Sequence, residues 1–218
     1  MKQLHIITPV KDSIELTLQT IESILSSDFT VPYHYYVYND FSTDENTARL
    51  REASEKMGFE LINLSDLTDH PSPNYLLILQ TAQQKAIAAD AGLLIVESDV
   101  IVKKHTLQLL FDGALARPDC GIAAAVTVDE QENINYPYLY AKGKEGKVFP
   151  EKKHLSFCCS LLTLSFLKSF DFHQLDPEKN WHDVTISHRS LEKRLHKLPV
   201  YNVDRVASSA RQPSLETT

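Results

Sequence analysis

The chain has 218 residues, with 22 Lys and Arg against 29 Asp and Glu and a formal net charge of −7 when histidine is neutral. That length suits one domain, or two small ones sharing a core, and it is enough to hold a catalytic cleft. With 43% hydrophobic residues, 23% charged residues and no basic run, the composition is that of a globular protein and excludes a general nucleic-acid binder.

Residues 4–10 are apolar and β-branched and stop at Thr8-Pro9, which predicts a buried strand opening into a loop. Asp12 with Glu15 resembles a capping box, and Ile14, Leu18, Ile21 and Leu25 then repeat along one helical face. Residues 33–38 read as a second strand ending at Asn39-Asp40, and Ser42 with Glu45 reads as the cap of a helix that runs to Met57. A third strand is expected over 59–64, followed by a polar, proline-containing loop over 65–74 and a helix over 75–90. Gly92-Leu93-Leu94-Ile95-Val96 is a fully apolar strand ending in Glu97-Ser98-Asp99. A helix over about 103–116 and a strand over about 120–128 come next. From 129 to 153 the pattern loosens into an irregular or hairpin region in which Tyr136, Tyr138 and Tyr140 alternate. Residues 155–164 are apolar again, 180–197 read as an amphipathic helix with Val184, His188, Leu191 and Leu195 on one side, and the tail from Ser208 reads as disordered.

Strands alternating with helices imply right-handed crossovers and a mostly parallel sheet covered on both faces, an α/β fold. Ligands in such sheets sit in the loops at the carboxyl ends of the strands, here the first, second and fourth. Neither GxGxxG nor GxxxxGK[ST] is present, so a phosphate group needs another device.

Three polar clusters fall on those loops or near them. Glu97-Ser98-Asp99 puts two carboxylates two residues apart, a spacing that can hold an oxygen-preferring divalent cation together with a diphosphate. Taken alone, the same pattern also describes a loop cap beside a solvated acid. In Asn39-Asp40-Phe41-Ser42-Thr43-Asp44, Ser42 and Asp44 are explained as cap and first-turn anion, whereas Asp40 could accept from a nucleobase edge or form an Asx turn. Trp181-His182-Asp183, with Arg189 further along the helix, offers either a helix cap or a general base that takes the proton from an attacking hydroxyl.

In this order the motifs resemble the inverting family two glycosyltransferases of the GT-A fold. Ile6-Ile7-Thr8-Pro9-Val10 is similar to the family's first strand, and Asn39-Asp40-Phe41-Ser42-Thr43-Asp44 to its NDGSTD signature. Leu94-Ile95-Val96-Glu97-Ser98-Asp99 stands where the DxD motif should, His182-Asp183 with Arg189 resembles the ED motif and its arginine, and Phe157-Cys158-Cys159 and 166–172 resemble the segment before that helix. The resemblance implies a GT-A-like single domain with a mostly parallel central sheet flanked by helices. Residues 1–102 would be the nucleotide-sugar-binding half, 103–207 the acceptor-binding half and 208–218 a disordered tail. It further implies Thr8, Pro9, Asp40 and Ser98 at the nucleotide, Asp99 with Glu97 at a Mn2+ or Mg2+ ion, and Asp183 as catalytic base. Trp181, His182 and Arg189 would meet substrate. The activity implied is hexosyl transfer from a nucleotide-diphosphate donor, with a UDP-sugar as the leading choice, to a glycan or lipid-linked glycan hydroxyl with inversion. Phe41 replaces the usual Gly, Glu97 the first Asp, His182 the Glu, Leu76 the Gly expected two after Asn74, and the ARN-like segment is lost around 80–82. These departures leave a degenerate, non-catalytic GT-A-like binding domain as an alternative. A nucleotidyltransferase is a further one, although Lys11 is the only basic residue after the first strand that would serve its phosphate loop.

Cys120 and the vicinal Cys158 and Cys159 make a poor disulfide framework, which favours a reducing compartment, and the two vicinal thiols read as small core residues. No run approaches the roughly 18 apolar residues of a membrane span and the N-terminus does not read as a signal peptide. A cytoplasmic protein is therefore expected, with peripheral association at the inner face of the membrane left open. The length leaves little room for a separate acceptor domain or anchor. His5, His105, His154, His173 and His196 show no metal-ligand spacing.

Overall fold

The computed structural model describes residues 1–129, 131–144, 147, 148, 150, 151, 155–179, 181–193, 195–200 and 206–208. The chain runs β1 (Leu4–Val10), α1 (Ile14–Leu25), β2 (Tyr33–Asn39), α2 (Asp44–Met57), β3 (Glu60–Asn63), α3 (Tyr75–Ala88), β4 (Gly92–Val96) and β5 (Val100–Ile101). It continues through α4 (Thr106–Leu115), β6 (Cys120–Ala125), β7 (Thr127–Val128), β8 (Cys159–Leu162), α5 (Leu164–Ser169), α6 (His182–Glu192), β9 (His196–Val200) and β10 (Val206–Ser208).

Seven strands form the main sheet in the order β3-β2-β1-β4-β8-β6-β9. Every pairing in it is parallel except the two made by β8, which runs antiparallel to β4 and to β6. A smaller sheet, β5-β10-β7, stands beside it. The apolar strands explain why both faces must be covered. Leu94 and Val96 of β4 join one buried cluster with Ile21 of α1, Leu50 of α2 and Leu110 of α4. Leu93 and Ile95 join the other with Ile78 and Ala82 of α3, Phe166 of α5 and Ile186 of α6. Successive side chains of one strand thus serve two cores, which is why the strand reads as a continuous apolar run. The mostly parallel α/β sheet flanked by helices is as the sequence predicts.

Four local expectations are corrected. Asp12 and Ser42 do not cap: Ser13 is the N-cap of α1 without a side-chain bond, and the Thr43 hydroxyl accepts from the Asn46 N–H at the start of α2. The strand expected through Val128 breaks at Val126, and its last two residues cross into the smaller sheet as β7. The described part of 129–153 has a bridge from Val128 to Ile134 and a 3-10 turn at Leu139–Ala141, so the three tyrosines do not alternate on a strand. Tyr138 is fully buried with its hydroxyl at the Ser156 backbone, while Tyr136 is exposed.

The helix expected to run to Lys197 ends at Glu192 and the chain re-enters the main sheet at His196. Leu195 continues the helical apolar spacing but donates its N–H back to the Ser190 carbonyl, and the His196 N–H goes to Asp119. Residue 180, where this helix is expected to begin, and residues 209–218 lie outside the described residues, while Ser208, expected to open the disordered tail, is the last residue of β10. The close seat of α6 depends on Gly121 of β6, where a Cβ would run into the Ser190 hydroxyl and stand 2.8 Å from Leu195 Cβ. All three cysteines are free thiols, Cys120 and Cys159 in the core and Cys158 half-buried. Among the described residues no helix is long and apolar enough to cross a membrane.

Candidate functional site

At the carboxyl ends of β1 and β2 the polar groups are tied to one another. Asn39 donates to Thr47 Oγ1 at 2.9 Å and to Asn63 Oδ1 at 3.0 Å, and accepts from the Ser42 N–H at 3.1 Å. Asp40 is buried; its Oδ2 accepts from the Ser72 hydroxyl at 2.7 Å and the Asn74 N–H at 2.8 Å, and its Oδ1 from Asn74 Nδ2 at 2.8 Å. This carboxylate therefore anchors the loop that leads into α3. Phe41 has φ 57°, the left-handed region where the resembled signature carries glycine, and its carbonyl accepts from the Lys11 ammonium. Asp12 accepts from the Thr43 N–H at 2.9 Å and Asn46 Nδ2 at 3.1 Å, bonds that hold its carboxyl below the usual range. The Thr8 hydroxyl lies 2.9 Å from that of Tyr35 within the core, and Pro9 pairs in register with Tyr38. The side chain of Thr8 thus points at the protein interior, and only its backbone belongs to the strand end.

The carboxyl end of β4 is built differently. β4 delivers Glu97, Ser98 and Asp99 into a turn before β5, with the Glu97 N–H bonded to the Cys158 carbonyl ahead of β8. The first residue of α3, Tyr75, donates its hydroxyl to Glu97 Oε1 at 2.9 Å. The Glu97 carboxyl is pushed up to about 7, first by burial and then by the negative charges of Asp99 and Asp183, against the Tyr75 bond that lowers it. Burial also raises Asp99, against a backbone N–H that lowers it. The same carboxylates act on Cys158, whose thiol is pushed up to about 11 by burial and by Glu97, Asp99 and Asp183. The end of β4 and the start of α6 therefore bring Asp183 within electrostatic reach of Glu97, which stands 86 residues earlier in the chain, and of Cys158 ahead of β8.

Asp183 is the second residue of α6, where its Oδ1 accepts from the Val184 N–H at 2.8 Å. That end of the helix carries the positive pole of the backbone dipole, which favours an ionised carboxylate. His182 is buried and its imidazole pKa is lowered, mainly by burial, with Asp183 and Asp176 opposing. Trp181 leaves its ring 71% exposed at the helix entrance. Arg189 is six residues further along, about 9 Å at 1.5 Å per residue, paired with Glu192 at 2.6 Å and lying over the Phe170 ring. It is not brought to the acid cluster by any of these contacts. The sequence assigns Tyr75 only to a helix and Cys158 only to the core and to the segment before the last helix, and places neither beside the acids. Their position next to strand ends is the signal, and it becomes visible once the antiparallel β8 is known to lie against β4.

A hard cation such as Mn2+ or Mg2+ takes oxygen ligands, which Glu97 and Asp99 supply, and the charges acting on Glu97 are both negative. The donor chemistry fits such an ion. Among the described residues no three His, Cys, Asp or Glu side chains stand close enough to enclose a metal by themselves. A bound diphosphate would therefore have to complete the shell.

No protein-family model matches the chain, and no curated protein matches it. Solved structures do. Residues 1–349 of TarS from S. aureus superpose with a TM-score of 0.71 at 16% identity, over 94% of this chain and 60% of that one. The same protein in complex with UDP-GlcNAc gives 0.70 at 14% identity over 97% of this chain and 60% of that one. The mannosyltransferase PcManGT from Pyrobaculum calidifontis, in complex with GDP-Man and Mn2+, gives 0.68 at 13% identity over 97% and 58%. The fold is GT-A-like. This GT-A-like chain spans about 60% of the length of the structures it matches. At identities this low the likeness carries the fold, and the chemistry rests on the residues described above.

Proposed function

We propose that this GT-A-like domain transfers a hexosyl group from a nucleotide-diphosphate donor, with a UDP-sugar as the leading choice, to a glycan hydroxyl, free or lipid-linked, with inversion. The observation that carries the reading is that Glu97 and Asp99 follow the carboxyl end of β4 in one turn, with Asp183 at the start of α6 near enough for its charge to act on Glu97. UDP-GlcNAc in one structural neighbour and GDP-Man with Mn2+ in another are consistent with it.

In this reading Glu97 and Asp99 hold a divalent cation against the donor diphosphate. The cation supplies charge neutralisation for the departing nucleoside diphosphate. Asp183 accepts the acceptor hydroxyl's proton as that oxygen attacks from the opposite side of the sugar, and a single displacement inverts the anomeric centre. Trp181 offers an exposed ring on which an acceptor sugar can stack beside the base. The donor's nucleotide is received by the segment around Pro9, Asp40 and Ser98 within residues 1–102, and the acceptor by residues 103–207.

Calorimetry with UDP and GDP, with and without Mn2+, tests the donor site. Binding that tightens with Mn2+ is expected, and no binding of either nucleotide at millimolar concentration would sink the reading. One observation favours a second reading, a binding domain without turnover: the Asp40 carboxylate is fully engaged by Ser72 and Asn74. Hydrolysis of a nucleotide sugar by the purified chain would exclude that alternative.

A further inference from the structure

The start of α3 touches two carboxylates at once. Asn74 bonds Asp40 through its N–H and its side-chain amide, and the next residue, Tyr75, bonds Glu97. β2 and β4 lie on either side of β1, so these acids leave strands about 10 Å apart, twice the spacing between neighbouring strands. One dipeptide spans that gap. The Tyr75 ring already packs against the α3-side core, a contact that phenylalanine would make equally well. The hydroxyl is the added part, and in a half-buried place it needs a partner, which Glu97 Oε1 supplies at 2.9 Å. Glu97 itself sits on a turn and carries three side-chain torsions, so a phenol fixed on a helix restricts it far more than solvent would.

We propose that Tyr75 is a positioning residue for the cation site, holding the Glu97 carboxylate in one orientation so that it and Asp99 meet the ion together. The proposal rests on the cation-assisted reading given above. Groups that hydrogen-bond a metal-binding carboxylate from outside orient it, and their loss typically costs 10- to 100-fold in metal affinity. Asn74 ties the same helix start to Asp40, so the element that orients Glu97 is anchored at the other strand end.

The test is a Mn2+ titration followed by the electron paramagnetic resonance of the free ion, with and without UDP, on wild type, Tyr75→Phe, Glu97→Gln and the double variant. Tyr75→Phe is expected to weaken Mn2+ binding by about 10- to 100-fold and to leave metal-free UDP affinity within about a factor of two. Tyr75→Phe added to Glu97→Gln should change nothing further, because the group it orients is gone. Unchanged Mn2+ affinity in Tyr75→Phe, with wild type binding the ion, overturns the role of Tyr75 and leaves the donor reading standing. An equal loss in both backgrounds overturns it too, since a general disturbance of the fold would act that way. If wild type binds no Mn2+ even with UDP, the cation-assisted reading falls and takes this proposal with it.

Discussion

The two polar corners of the sheet's carboxyl edge treat their carboxylates in opposite ways. At β1 and β2, Asp12 and Asp40 each accept two or more hydrogen bonds from neighbouring loops, and Asp12 is held below its usual pKa. At β4 and α6, Glu97 is pushed up to about 7 by burial and by Asp99 and Asp183. The first corner uses its acids to fasten neighbouring segments. The second concentrates negative charge where the fold itself gains little from it, which is the usual mark of a site kept for a ligand.

The largest effect expected from breaking this contrast is on turnover. Asp183→Asn should lower transfer by about 10²- to 10⁴-fold, the ordinary worth of a positioned general base, while nucleotide affinity stays within a few-fold. Single-turnover kinetics and calorimetry on the same preparation would separate the two, and full turnover by the variant would remove Asp183 as the base. Next in size is the loss of a fastening acid. Asp40→Ala leaves the buried Asn74 amide and the Ser72 hydroxyl without their acceptor and should cost about 2 to 4 kcal/mol of unfolding free energy in urea.

A smaller effect of the opposite sign is expected at the other corner. Glu97 has a folded pKa above its ordinary 4.5, so its ionisation is disfavoured in the fold. The chain should lose that contribution as pH rises from about 4.5 through 7, and Glu97→Gln should stabilise the metal-free protein more at pH 8 than at pH 5. Asp12 runs the other way: its folded pKa is depressed, so its contribution is present above 3.8 and fades as pH falls below it. Denaturant melts of Glu97→Gln and Asp12→Asn at several pH values would read both slopes, and equal slopes would erase the distinction between the corners. Smallest of all, Phe41→Gly relieves a left-handed backbone of roughly 1 kcal/mol but gives up a ring packed against the core. The melting temperature should therefore move by only a few degrees.

Much of the fold is legible in the sequence because β1 and β4 are buried on both faces, β4 apolar throughout and β1 apolar except for His5 and Thr8, and because α1 repeats its apolar residues at helical spacing. The end of α6 is not legible. Leu195 sits on the right side for one more turn, and only the Ser190 carbonyl and the Asp119 carbonyl, brought near by packing, decide that the chain turns into β9 instead. The capping residues fail for a similar reason. Asp12 and Ser42 have the right chemistry for caps of their own helices but meet each other's loop first, the Ser42 hydroxyl accepting from the Asp12 N–H at 2.8 Å. Glu97 and Asp99 are legible because they follow an apolar strand, and Asp183 because it stands at the start of a helix. Tyr75 and Cys158 are hidden, since their neighbour across the cleft is set by strand order, which a linear reading does not reveal.

Gly121 gives the molecule a pivot. It lets β6 meet Ser190 at the far end of α6 without a side chain of its own in the way, some seven residues from Asp183, which is about 10 Å along the helix. A rod seated at one end is aimed from that end, and a tilt of about six degrees at the seat would swing the carboxylate by roughly 1 Å, a displacement that can cost about a hundredfold in rate. The accuracy of the acid at the cleft is thus governed by a hydrogen atom on a strand at the opposite end of the lever.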